Sequence, residues 1–92
     1  MKEGIIMLTG IAGTLESNDA MITVTPADKL TIEVKSVVDA FYHDQIVKVI
    51  KDTLFDSKIA NISVMCQDKG ALDYTIRARL LTAISRMEEQ NG

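Results

Sequence analysis

The sequence predicts an α+β fold: a two-layer domain in the order β-β-β-α-β-α, with a small sheet and both helices on one face. Three observations lead there. Residues 30–35 alternate strictly, with Leu30, Ile32 and Val34 on one side and Thr31, Glu33 and Lys35 on the other, the period of a half-buried strand. Ile46, Ile50 and Leu54 recur every fourth residue with Val47 beside them, so they share one helix face. A second helical stripe, Leu72, Ile76, Leu80, Ala83, Ile84 and Met87, follows another alternating run.

In chain order, residues 5–12 and 20–25 are two short runs rich in apolar and β-branched side chains. Between them, Glu16-Ser17-Asn18-Asp19 reads as a hairpin tip, since Ser, Asn and Asp bond to nearby backbone and tolerate turn conformations. Pro26-Ala27-Asp28-Lys29 also has turn chemistry. The second and third strands are therefore expected to form an antiparallel hairpin. Residues 36–42 are open: Val37 and Val38 extend the strand, or a helix starts at Asp39. The period is helical by Asp44, and that helix is expected to end near Ser57 and Lys58.

Ile62, Val64 and Cys66 alternate with Asn61, Ser63 and Met65, which predicts a fourth strand over residues 60–66. Asp68 is placed to cap the second helix, where a carboxylate meets unpaired N–H groups. The polar end from Glu88 to Gly92 is expected to fray. If the strands of the unit over residues 30–66 are parallel neighbours, their crossover should be right-handed.

Ninety-two residues, 47% hydrophobic and 25% charged, describe one domain with a single modest core. There is no Trp, so Ile, Val, Leu and Met must build that core. A net charge of −3 provides no electrostatic footprint for nucleic acid. The lone cysteine, Cys66, has no internal partner for a disulfide, which fits a reducing cytosol. The apolar run after Met1-Lys2-Glu3 is too short for a leader, and no run approaches the roughly 18–20 apolar residues of a membrane span. A cytoplasmic protein without a targeting segment is expected.

Acyl chemistry performed by the chain itself would need a nucleophile paired with a base. The single histidine, His43, has no partner motif and reads as a surface or helix-capping residue. Cys66 lies on an apolar strand face and reads as a small buried hydrophobe. One His and one Cys make no zinc spacing, and no helix follows Gly10 and Gly13 to form a phosphate loop. Asp73 and Arg77 are expected to form a surface ion pair. Glu16 and Asp19 flank Ser17 as marks for a modifying enzyme or as solvated turn residues. An accessible serine without such apparatus suits a substrate for modification better than a catalyst.

Two blocks carry a resemblance. Ala12-Gly13-Thr14-Leu15-Glu16-Ser17-Asn18-Asp19 resembles the attachment signature of the acyl carrier (gamma-chain) family of citrate lyase. Asp68-Lys69-Gly70-Ala71-Leu72-Asp73, running on to Arg77-Ala78-Arg79-Leu80, resembles that family's other signature, in the same order. The likeness extends from Ile11 to Arg86. It implies that Ser17 is the cofactor-binding residue, joined by a phosphodiester to 2′-(5″-phosphoribosyl)-3′-dephospho-coenzyme A (2'-(5''-phosphoribosyl)-3'-dephospho-CoA). It implies a non-catalytic carrier of acetyl and citryl thioesters and no metal.

The implied partners are the citrate lyase alpha (acyl transferase) and beta (acyl lyase) subunits and a prosthetic-group transferase, with no nucleic acid and no membrane. Arg77 and Arg79 are then solvated charges, or contacts to a partner or to the arm's phosphates. The fold is not the helical bundle of fatty-acid carriers, where the modified serine starts a helix. Two alternatives stay open: the equivalent carrier of malonate decarboxylase, against which Thr14-Leu15-Glu16-Ser17 favours citrate lyase, and a regulatory domain whose Ser17 is never modified.

Overall fold

A computed structural model describes residues 8–37 and 40–90. In it the chain runs β1 (Gly10–Gly13), β2 (Ala20–Pro26), β3 (Thr31–Ser36), α1 (Ala40–Asp56), β4 (Ile62–Asp68) and α2 (Asp73–Glu89). This is the expected α+β order. The four strands form one sheet in the order β1-β2-β4-β3. β1 pairs antiparallel with β2, β2 antiparallel with β4, and β3 parallel with β4.

That order overturns the expected β2–β3 hairpin, because β4 lies between the two strands. The alternation of β3 says that one face is buried but not which strand lies beside it. Burial decides the matter. Every second residue of β4 is buried, whereas β3 alternates only between exposed and half-buried, with Thr31, Glu33 and Lys35 exposed. The more apolar strand takes the interior of the sheet and the charged one its edge. After Pro26, which stands opposite Ile62, the chain steps past the start of β4, and Ala27 N–H donates to the Asn61 carbonyl at 3.4 Å.

The register lines core residues up in rows across the sheet. Ala12, Ile22, Cys66 and Val34 form one row, and Val24, Val64 and Ile32 extend the row that begins at Gly10. Above this face α2 packs on β1 and β2, while α1 packs on β3 and on α2. Ile46, Ile50 and Leu54 from α1 meet Ile76, Leu80, Ala83 and Ile84 from α2 in a single core. Cys66 is fully buried there. A Cβ at Gly10 would run into the Ala83 carbonyl, so glycine is what lets the β1 backbone approach α2.

Several local expectations change. β1 begins at Gly10, and residues 5–7 of the expected strand lie outside the described residues. β3 ends at Ser36, with Val37 exposed; Val38 and Asp39 also lie outside them. α1 is helical from Ala40, earlier than its apolar period begins.

α2 starts at Asp73, one residue past the first residue of its predicted stripe, but its buried face starts a full turn later than that stripe suggested. Leu72 is its N-cap residue and is exposed, and the buried face begins at Ile76. Asp68 is therefore not the helix cap. It ends β4, is 2% exposed, and accepts hydrogen bonds from Ala71 N–H at 2.9 Å and Ser36 Oγ at 2.8 Å. The loop needs Gly70 at φ +95°, which postpones the helix. At the other end α2 includes Glu88 and Glu89 of the stretch expected to fray, of which Asn91 and Gly92 lie outside the described residues. Gln90 then grips Thr9, with Nε2 donating to its carbonyl at 2.6 Å and Oε1 accepting from its N–H at 3.3 Å.

Candidate functional site

The loop joining β1 and β2 is built from its ends inward. Gly13 ends β1 at φ +94°, where a Cβ would strike the Ala20 carbonyl. Asn18 takes φ 67°, a left-handed conformation that Asn tolerates better than most residues. Asp19 N–H returns to the Glu16 carbonyl at 3.2 Å and closes the turn Glu16-Ser17-Asn18-Asp19. The tip is thus where the sequence placed it.

Asp19 is the loop's anchor and not a solvated turn residue. Its side chain is 15% exposed. Oδ1 accepts from Ala20 N–H at 2.7 Å and from Arg79 Nε at 3.0 Å; Oδ2 accepts from Thr14 Oγ1 at 2.7 Å and from Arg79 Nη2 at 3.1 Å. The guanidinium grips both carboxylate oxygens, the strong two-pronged geometry of an Arg–Asp pair. Arg79, Thr14 and the Ala20 amide together hold the Asp19 carboxyl at about 2, below its ordinary 3.8. Thr14 passes the restraint on, since its Oγ1 accepts from Glu16 N–H at 3.2 Å.

A second grip comes from the loop after β4. Asn18 N–H donates to the Lys69 carbonyl at 2.8 Å, and Lys69 N–H donates to the Asp19 carbonyl at 2.8 Å. These bonds extend the β2–β4 ladder past Ala20 and Asp68. The two sequence blocks around Ser17 and around Gly70–Arg79 therefore form one structure. Ser17 is exposed, and its hydroxyl makes no hydrogen bond among the described residues. Leu15, 49% exposed, is the apolar residue of the tip.

The arginines separate. Arg79 faces the tip, as a structural partner of Asp19. Arg77 faces α1, where Nη1 donates to Thr53 Oγ1 at 3.2 Å and lies 3.4 Å from Asp56 Oδ2. The expected Asp73–Arg77 pair is not the contact made, because Asp73 accepts from Gln45 Nε2 at 2.8 Å across the helix pair. Periodicity shows which residues share a helix face but not what another helix offers to them.

Among the described residues the other reactive side chains make no hydrogen bond to Ser17. His43 is exposed, with Nδ1 3.6 Å from Asp44 Oδ1. Burial, and then the nearby Asp68, push the Cys66 thiol up to about 12, which keeps it protonated and unreactive at neutral pH. Among the described residues no three His, Cys, Asp or Glu side chains group to hold a metal ion. No helix among them is long and apolar enough to cross a membrane.

An exposed serine on a clamped hairpin tip, carried by a body whose thiol is buried, has the makeup of a small α+β carrier. Comparison with known proteins gives the same class. Residues 8–87 match the acyl carrier (ACP) family described as malonate decarboxylase delta subunit (MdcD). The citrate lyase acyl carrier protein of Halothermothrix orenii is 45% identical over 82 residues, covering 88% of this chain and 87% of that protein. That of Streptococcus mutans is 46% identical over 83 residues, covering 88% and 81%. A chain in the crystal structure of a Pseudomonas malonate decarboxylase hetero-tetramer in complex with malonate superposes with a TM-score of 0.74 at 21% identity, covering 86% of this chain and 82% of that one. At that identity the likeness speaks for the fold. The chain belongs to the citrate lyase acyl carrier protein family, whose members are non-catalytic carrier subunits.

Proposed function

We propose that Ser17 is the residue through which this carrier bears its prosthetic group, by a phosphodiester to 2′-(5″-phosphoribosyl)-3′-dephospho-coenzyme A, and that residues 1–92 act as one acyl carrier domain of citrate lyase. The observation that carries this reading is the unengaged Ser17 hydroxyl on a tip tied down on both sides. The group fits there. Ser17 has room for a bulky substituent, its oxygen is not spent on the fold, and it takes part in none of the bonds that hold the tip. When bound, the arm supplies a terminal thiol that holds acetyl or citryl groups as thioesters.

The chain's own contribution is position. A group tethered to a rigid tip meets its partners at an effective concentration set by the arm's length rather than by dilution. The partners under this reading are the alpha acyl transferase and beta acyl lyase subunits in the cytoplasm, with a prosthetic-group transferase to load Ser17. Relatives named for citrate lyase at 45% and 46% identity support citrate as the substrate. The family description supports a malonate decarboxylase carrier as the second reading.

The test is the intact mass of the chain after co-production with the transferase. The wild type should gain the mass of the arm, and Ser17→Ala should gain nothing while keeping its stability within about 0.5 kcal/mol, as surface changes do. Full modification of Ser17→Ala would put the attachment elsewhere. Citrate cleavage on adding the loaded chain to the alpha and beta subunits, without malonate decarboxylation in the parallel assay, separates the two readings.

A further inference from the structure

We infer that Arg79, through its fork to Asp19, is a positioning residue for the modification of Ser17: it holds the tip in the conformation that the modifying enzyme binds. This rests on the reading of Ser17 as the attachment residue. The loading step forms a bond from Ser17 Oγ to phosphorus and breaks a phosphoanhydride bond of an activated donor nucleotide. The hydroxyl proton passes to a base on the modifying enzyme, and the leaving phosphate departs with the electron pair. The chain's share of that step is to present Oγ in one place.

The geometry shows what fixes that place. The backbone between Gly13 and Ala20 leaves the sheet, so ladder bonds do not restrain Leu15, Glu16 and Ser17. Their restraint passes through Asp19. Its N–H closes the turn on Glu16, its Oδ2 holds Thr14 Oγ1, and that oxygen holds Glu16 N–H. Arg79 is the one side chain from outside the loop, among the described contacts, that holds the Asp19 carboxylate.

Arg79 itself is 40% exposed and stands on α2, one residue before the fully buried Leu80. Its stem is therefore anchored by the helix while its head reaches the tip. The Lys69 bonds hold only the far side of the loop, at Asn18 and Asp19. Without the fork, a partner enzyme must order residues 15–17 as it binds, and the apparent affinity falls by the fraction of chains already in the right form.

The experiment compares wild type with Arg79→Ala, Asp19→Asn and Arg79→Lys as purified full-length apo chains. Two readouts are taken, with the folded fraction measured by circular dichroism. The first is amide hydrogen exchange. Arg79→Ala and Asp19→Asn should speed exchange at the hydrogen-bonded amides of Glu16 and Asp19 by about tenfold or more while the helix cores stay protected, the mark of local opening. The second is attachment of the arm by the transferase from its nucleotide donor.

KM for the carrier should rise by roughly 10–100-fold per folded molecule, with kcat within about threefold. Arg79→Lys should recover only part of this, because an ammonium makes a point contact where the guanidinium makes a fork. Unchanged exchange at the tip overturns the inference, as does a KM within about twofold of wild type. If Arg79→Ala fails to fold, Asp19→Asn breaks the same bond from its other side and decides the question. A wild-type chain that the transferase leaves unmodified would sink the proposed function, while the exchange data would still decide whether Arg79 orders the tip.

Discussion

α2 makes two interfaces, and they are built differently. Against α1 its polar contacts are mostly open to water: the Arg77 and Asp56 side chains are 44% and 59% exposed, and only the Thr53 hydroxyl that Arg77 also reaches is buried. Against the β1–β2 hairpin the contacts are closer and more shielded. The Asp19 carboxylate is mostly buried under Arg79, Arg86 Nη1 donates to the Ile11 carbonyl at 2.7 Å, and Gly10 lies against the Ala83 backbone. The helix pair is held mainly by its apolar layer and trimmed with solvated pairs. The hairpin is held by specific bonds that set where its tip stands. Stability and position are thus assigned to different sides of the same helix.

The largest expected effect tests whether both helices serve one core. Ile50→Ala on α1 and Leu80→Ala on α2 each remove a fully buried side chain and should each cost roughly 2–5 kcal/mol in chemical denaturation. For a domain of this size either loss approaches the whole stability. A cost below about 0.5 kcal/mol at Ile50 would mean that α1 is not part of the common core.

A smaller effect is expected from acid. The carboxyl of Asp19 is depressed in the folded chain, so its contribution is complete above the ordinary value of 3.8 and is lost as pH falls toward about 2. Protonation takes the charge from the Arg79 fork. The exchange protection of the Glu16 and Asp19 amides should therefore weaken across that window before the core unfolds, and Asp19→Asn should remove this pH dependence. Equal loss at the tip and in the helices would erase the distinction between the interfaces.

The smallest effect belongs to the open interface. Arg77→Ala loses an exposed ion pair and a bond to the buried Thr53 hydroxyl, which still donates to the Val49 carbonyl, and should cost no more than about 1–2 kcal/mol and leave Ser17 loading unchanged. Two residues apart on one helix, Arg77 and Arg79 should then differ in what they affect as well as by how much. A loading defect in Arg77→Ala as large as that in Arg79→Ala would show that α2 positions the tip through the whole helix pair.

By itself the sequence determined the order of elements, the two helix faces and the tip around Ser17. Each of these is written in neighbouring residues: alternation for β3 and β4, a four-residue recurrence for α1, and Glu16-Ser17-Asn18-Asp19 for the turn. The likeness of its two blocks to one family was also legible there, because a pattern of residue types can be matched without knowing its shape. Only the tertiary structure decided which strands are neighbours, that Asp68 closes a loop instead of capping a helix, and that Arg79 reaches Asp19 while Arg77 reaches Asp56. The physical reason is common to all three. Local periodicity fixes which way a side chain points, but a partner distant in the chain is chosen by the packing of the whole core, with β4 drawn to the middle of the sheet by its burial and α2 laid across the hairpin that it holds.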